Sequence, residues 1–383
     1  MARSRPLRFA PFLLAALAAC RAASGENGAP PATTTAAPSK APDAASSPSA
    51  DVSSPASAPS GATPGIVRIS AVGDVTLGDA ATAERAPGSF HRFFDEVGPL
   101  RPFSMVDTVF HDDDLTIANL EGPLTLEPPR QNALRAFRGR MAFGKILQIA
   151  SVELVNIANN HIMDCGPRGI KETKEALRGA EVAYFGLGRV DTRWINGVEV
   201  HNLGFTGGQP KVKDEVVELV SAIKRPDNLV IVTFHWGIEG SHEVMDVQES
   251  LAHAVIDAGG DLVIGHHPHV LQAIETYKGK KILYSLGNFL FGGAEEHDEL
   301  ESIIYRARFQ KTAGVVSLLD DELIPVIVAA DGKHNDFLPL LAGDERGQEI
   351  LDNVAQYSKN LKDPLMRGGK KLPPRRSVFR KDW

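Results

Sequence analysis

Apolar runs in this chain end, one after another, in residues able to hold a metal ion or move a proton. Residues 66–72 run into Gly73-Asp74, 115–118 into Asn119-Leu120-Glu121, and 153–158 into Asn159-Asn160-His161, with Asp164 and Gly166 close behind. Residues 229–234 run into His235-Trp236-Gly237-Ile238-Glu239, and 261–264 into Gly265-His266-His267-Pro268-His269. In open α/β sheets ligands bind beyond the carboxyl ends of the strands. Carboxylates, an amide and imidazoles, with no thiolate among them, suit borderline divalent ions such as Zn, Mn or Fe. One such triplet would mean little; its recurrence at successive strand ends makes a metal site the leading reading.

Periodicity supplies the elements that must position these groups. Residues 246–258 read as a helix, with Val247, Leu251, Ala254, Val255 and Ala258 on one stripe. Asp246 and Glu249 form a capping-box pattern at its start, and Gly259-Gly260 ends it. Residues 132–150 and 168–178 read as further helices, each leading into a strand, and 182–185, 198–205 and 281–285 as strands. After Gly293, residues 303–309, 314–319 and 323–328 read as an antiparallel meander, followed by a last helix over 348–360. Strand and helix signals alternating in this way predict an α/β fold.

With 383 residues, 43% hydrophobic and 23% charged, the chain has room for one large or two smaller domains. A net charge of −7 gives no general reason to expect nucleic acid as a partner. No internal stretch is apolar for long enough to span a bilayer. Arg3, Arg5 and Arg8 followed by the apolar residues 9–19 read as an export signal. It ends in Leu17-Ala18-Ala19-Cys20, which resembles the bacterial lipobox. Residues 1–20 are therefore expected to be a lipoprotein signal peptide. Cys20 would be lipidated and would hold an exported protein to a membrane of the cell envelope; an ordinary signal peptide with a chance cysteine is the alternative. Lipidation of Cys20 leaves Cys165 without a disulfide partner, and Cys165 reads as a small buried residue before it reads as a metal-adjacent thiol. Residues 21–65, almost wholly Ala, Pro, Ser, Thr and Gly, read as a disordered tether, 66–361 as the folded domain, and 362–383 as a basic flexible tail. Contact of that tail with a polyanion or anionic lipid headgroups is its sharper reading.

Together, the motifs AVGDVTLG, ANLEGPLT, ANNHIMDCG, HWGIE, GGDLVIGHHPHVLQAIE and ILYSLGNFLFG closely resemble the bacterial capsule synthesis protein CapA family, also called poly-γ-glutamate synthesis proteins. That family is a branch of the calcineurin-like metallophosphoesterases, and the resemblance runs from about Ile66 to about Leu361. It implies a four-layer α/β/β/α sandwich of calcineurin-like metallophosphatase type, with two divalent ions at the strand ends. Asp74 matches its first metal aspartate, Glu121 its bridging acidic position and Asn160 its ligating amide. His235 matches its isolated metal histidine, and His267 and His269 its His-x-His pair. His161 matches the histidine that stabilises the transition state or protonates the leaving group. Asn119, Asp164, Glu239 and Asn288 are expected to support these ligands or touch substrate, His266 to be structural, and Trp236 to pack against the site wall. The chain departs from the pattern at Thr76, where many phosphoesterases have a second ligand. It departs again between Arg189 and Asn196, where the family has a longer loop. The implied partners are an anionic capsule polymer or another envelope substrate, the membrane through Cys20, and a capsule synthesis or export complex. Three functions follow: capsule formation, hydrolysis of a phosphoester or amide, and non-catalytic polymer binding. The intact ligand set argues against the third.

Overall fold

A computed structural model describes residues 65–130, 135–207, 210–292, 299–329 and 335–362. The expected signal peptide with Cys20, all but the last residue of the tether, and the tail from residue 363 onward lie outside the described residues. The strand Ile66–Thr76 organises the larger sheet. It is buried on both faces from Ile69 on, Ser70 included, so its side chains do not divide there between core and solvent. Leu115–Leu120 and Asn288–Phe291 pair with it in parallel and Glu301–Thr312 antiparallel. Beyond Leu115–Leu120 the sheet continues in parallel through Leu154–Asn156 to Ala183–Phe185. The smaller sheet runs in the order Ile274–Tyr277, Lys280–Leu283, Leu262–His266, Asn228–His235, Val198–Thr206, Asp191–Ile195, with its inner four strands parallel.

The two-residue alternation of side chains sorts the core into layers. Val67, Ile69, Leu115 and Ile117 of the larger sheet pack against Val200, Leu229, Ile231 and Ile264 of the smaller. Their neighbours Val72, Val75, Ala118 and Leu120 face the other way, onto Ile146 and Leu147 of the helix Gly144–Ile149 and Leu177 of Gly166–Gly179. Val230, Val232 and Phe234 likewise meet Val216 and Val220 of Pro210–Ile223 and Leu251 and Val255 of Asp246–Asp257. The order is helix, sheet, sheet, helix: the expected α/β/β/α sandwich. Among the described residues no helix is long and apolar enough to cross a membrane.

Three local expectations are corrected. The helix expected over residues 132–150 is, from 135 on, a short strand Phe137–Arg138, a 3-10 turn Met141–Phe143 and a helix only over Gly144–Ile149. Backbone donors there point across the chain: Gly139 N–H to Pro123 O (2.9 Å) and Phe137 N–H to the Asp164 carboxylate (2.7 Å). Gly139 also lies so close to the 77 backbone that a Cβ would sit 1.9 Å from Leu77 O. The meander is one hairpin of Glu301–Thr312 and Val315–Ile327. Asp320, Asp321 and Glu322 look like a turn but stay paired, because Arg308 and Arg306 stand opposite Asp320 and Glu322. Lastly, the helix Asp246–Asp257 is capped one residue earlier than expected: Gln248 accepts the Met245 N–H at 2.9 Å, while Asp246 and Glu249 fall within the first turn.

Candidate metal centre

Parallel pairing brings the polar strand ends to one edge. Asp74 lies in register with Asn119, and Asn119 with Asn156; in the smaller sheet His235 lies in register with Thr206 and His266. Gly73 permits the first of these ends: a Cβ there would stand 2.1 Å from Gly287 O, the atom that accepts the Asp74 N–H at 2.9 Å. After His266 the chain turns with His267 at φ 97° and His269 at φ 59°. Such angles are uncommon outside glycine and persist where the surroundings over-determine them. The His267 backbone N–H and the His269 imidazole are thereby brought to Asp74.

Asp74 is fully buried; its Oδ1 accepts from the Asn119 amide (2.8 Å) and its Oδ2 from the His267 N–H (3.0 Å). Nδ1 atoms of His266, His269 and His235 lie 3.4, 3.5 and 4.0 Å from its oxygens. Around Glu121 Oε1 stand Nε2 of His235 (3.6 Å), His269 (3.7 Å) and His161 (3.9 Å). His235 Nε2 is 2.7 Å from Asn160 Oδ1 and 3.1 Å from His267 Nδ1, and His269 Nδ1 is 2.9 Å from Asn288 Oδ1. Three triplets have ligand atoms within 4.8 Å of one another: Glu121, His235 and His267; Asp74, Glu121 and His269; and Glu239, His267 and His269. Glu121 is shared by two of them, as a bridging carboxylate would be.

The electrostatics of the cluster suit a divalent cation. Burial pushes Asp74 up, but the imidazoles, His266 foremost, outweigh it and hold the acid well below the usual carboxylate range. Burial pushes Glu121 well up, reinforced by Asp74, Glu239 and Asp164. Burial, then the neighbouring imidazoles against the pull of Asp74, drives His235 and His267 down, so both favour the neutral form that binds metals. Both Glu121 oxygens are buried without a hydrogen-bond partner. An orphaned polar group of this kind costs on the order of a few kcal/mol, and a divalent cation would remove that cost. The donor set, all oxygen and nitrogen, fits such an ion. Cys165 is buried, belongs to none of the triplets, and has its thiol pushed up to about 11 by burial.

His161 stands apart from the ligands. Its Nδ1 lies 2.8 Å from Asp164 Oδ2, the oxygen that also takes the Phe137 N–H, and the Phe137 ring meets the imidazole edge-on at 4.5 Å. Asn119 is buried behind Asp74 and accepts from Asn156 at 3.0 Å. Glu239, expected only as support, is exposed and near enough to His267 and His269 to act as a ligand. Trp236 does not wall the site: one residue past His235 the alternation turns it into the helix-side layer. There it stacks on Phe234 at 4.4 Å and donates to Tyr284 O. The Thr76 hydroxyl is buried and unpartnered. Sequence reasoning missed Asn156 and the Phe137 ring. A lone amide inside the apolar run 153–158 was the available signal for Asn156.

Fold and site define a four-layer α/β protein with a clustered carboxylate–imidazole centre. The chain belongs to the bacterial capsule synthesis protein PGA_cap family, matched over residues 68–293, a span that holds every residue of that centre. It is 30% identical over 253 residues to the PGA biosynthesis protein CapA of Bacillus subtilis, covering 59% of this chain and 63% of that one. With the capsule biosynthesis protein CapA of Bacillus anthracis it shares 34% over 219 residues, covering 49% and 53%. With a probable polyglutamine synthesis accessory protein of Mycobacterium tuberculosis it shares 30% over 210 residues, covering 45% and 55%. The chain thus spans less than two thirds of the length of these relatives. Among solved structures, the calcineurin-like phosphoesterase YfkN of Bacillus subtilis superposes with a TM-score of 0.36 at 12% identity, over 78% of this chain and 100% of that one. TT1561 of Thermus thermophilus does so with 0.33 at 13%, over 66% and 98%. The layer order described above does not depend on either.

Proposed function

We propose that the protein is an exported, lipid-anchored metallohydrolase of the cell envelope that acts in the synthesis, export or attachment of an anionic capsule polymer of poly-γ-glutamate type. The observation that carries this reading is the buried, unpartnered Glu121 carboxylate among imidazoles. Asp74, Glu121, Asn160, His235, His267 and His269, with Glu239 in reach, would hold two divalent ions (Zn, Mn or Fe). When bound, such ions supply a water nucleophile at neutral pH and stabilise charge on reacting oxygens. The chain's own residues do the rest. Asn119 fixes Asp74, Asn288 fixes His269, and Asp164 holds His161 with Nε2 toward the pocket, placed to give a proton to a leaving oxygen. The polymer comes from the names of the relatives. The formal charge of −7 repels a polyanion, so attraction falls to the metal centre and to the basic residues of 362–383.

A second reading is an envelope hydrolase of phosphoesters or amides with no capsule role; the His161–Asp164 pair, which a polymer-binding scaffold does not need, supports hydrolysis in both readings. Metal analysis of the purified protein, a phosphodiesterase and peptidase screen, and surface polymer after gene deletion separate these. Bound metal, turnover and lost polymer support the first reading; turnover with unchanged polymer supports the second; absence of any divalent metal defeats both.

A further inference from the structure

We propose a second, separate divalent-cation site on the outer side of the smaller sheet, held by Glu249, His253 and Glu275. Glu249 and His253 are four residues apart on the helix Asp246–Asp257 and so share one face. Glu275 comes from the strand Ile274–Tyr277. Ligand atoms of the three lie within 4.8 Å of one another. None of the three belongs to the triplets at the strand ends.

Two features set this group apart from a solvated acidic patch. The His253 ring is stacked on Tyr277 at 3.8 Å and 5°, which fixes its plane and leaves Nε2 on Glu275 Oε2 at 2.9 Å. Glu275 is 9% exposed, and the same oxygen accepts the Tyr284 hydroxyl at 2.8 Å, so the carboxylate is held in place before any ion arrives. Ligands bound at about 2.0–2.2 Å to a tetrahedral ion stand roughly 3.3 Å apart. The His253–Glu275 gap therefore needs only a slight opening to admit one. One imidazole and two carboxylates suit Zn²⁺, with water in the fourth position.

Placement gives the site a purpose. The helix Asp246–Asp257 follows the loop that carries Glu239, and the strand Ile274–Tyr277 follows the loop that carries His267 and His269. A cation bridging helix and strand braces both loops from behind. Without the cation the His253–Glu275 hydrogen bond keeps the fold.

The test is zinc titration of the full-length protein by equilibrium dialysis, with thermal melts in parallel. Glu249→Gln, on a partly exposed helical face, keeps the fold; His253→Ala removes the central ligand. Each should bind one zinc fewer than wild type, or bind that zinc at least about tenfold more weakly, and should lose part of the zinc-induced rise in Tm. A Glu121→Gln/His235→Ala protein, damaged at the strand ends, should keep this zinc. Wild-type stoichiometry and affinity in Glu249→Gln and His253→Ala, or loss of all zinc in Glu121→Gln/His235→Ala, overturns the proposal.

Discussion

Replacing His161 and Asp164 singly and then together puts the reading of the pocket at greatest risk. One oxygen, Asp164 Oδ2, takes both the Phe137 N–H and His161 Nδ1. An Asn at 164 can place its carbonyl oxygen there and keep both bonds, so Asp164→Asn removes the charge behind the imidazole but not its orientation. Loss of such a supporting carboxylate costs about 10–100-fold. Ala at 164 removes orientation as well and leaves the Phe137 N–H, on a largely buried residue, unpaired at about 1–3 kcal/mol of stability. His161→Ala removes the proton donor itself, about 10²–10⁴-fold in kcat, or about 3–5 kcal/mol at roughly 1.4 kcal/mol per tenfold. Because Asp164 acts through His161, the double variant His161→Ala/Asp164→Asn should be no slower than His161→Ala alone. Turnover of a chromogenic phosphodiester and metal content are read for each protein. Metal should be retained throughout. If His161→Ala loses metal as His235→Ala does, or if the two losses multiply, the assignment of His161 as proton donor fails.

Glu121→Gln should abolish uptake of divalent metal by the strand-end site, while the metal-free protein melts no lower than wild type, since burial already favours the neutral acid there; elemental analysis and thermal melts check both halves. Asp113 is buried and its carboxyl is pushed up to about 7 from 3.8, mainly by burial, while Ser70 and Thr116 pull it down. A raised carboxyl contributes stability that is complete below pH 3.8 and lost as pH rises through 7. Asp113→Asn should therefore gain on wild type between pH 4 and pH 8 by up to about 4 kcal/mol, seen as diverging urea midpoints; parallel midpoints refute it. Cys20→Ala should release the protein from membranes or block its processing, and unchanged fractionation would sink the lipoprotein reading.

What the sequence made legible was whatever a residue announces through its neighbours in the chain. Residues 66–72 are apolar apart from Arg68 and Ser70, and 229–234 apart from Thr233, because their strands are largely covered on both faces. Asp74, Glu121, His235, His267 and His269 stand out because each is the polar tip of such a run. The illegible features depend on contacts between distant parts of the chain. Residues 132–150 carry a helical pattern, yet from 135 on their course is set by the Leu77 backbone pressing on Gly139 and by Asp164 taking the Phe137 N–H. Asp320 to Glu322 resemble a turn until Arg306 and Arg308 are placed opposite them. The same division runs through the site. Glu239 was found as a group near the ligands, but its reach to His267 and His269 depends on the positive-φ turn that carries them. Asn156 and Asp113 show how part of this hidden layer can be recovered. Each is a buried polar side chain within or beside an apolar strand, and a polar group kept in such a place at a cost of a few kcal/mol has a partner to serve. For Asn156 that partner is Asn119, and through it Asp74. The support of the candidate metal centre is thus written as exceptions to the apolar pattern, two residues deep behind the candidate ligands.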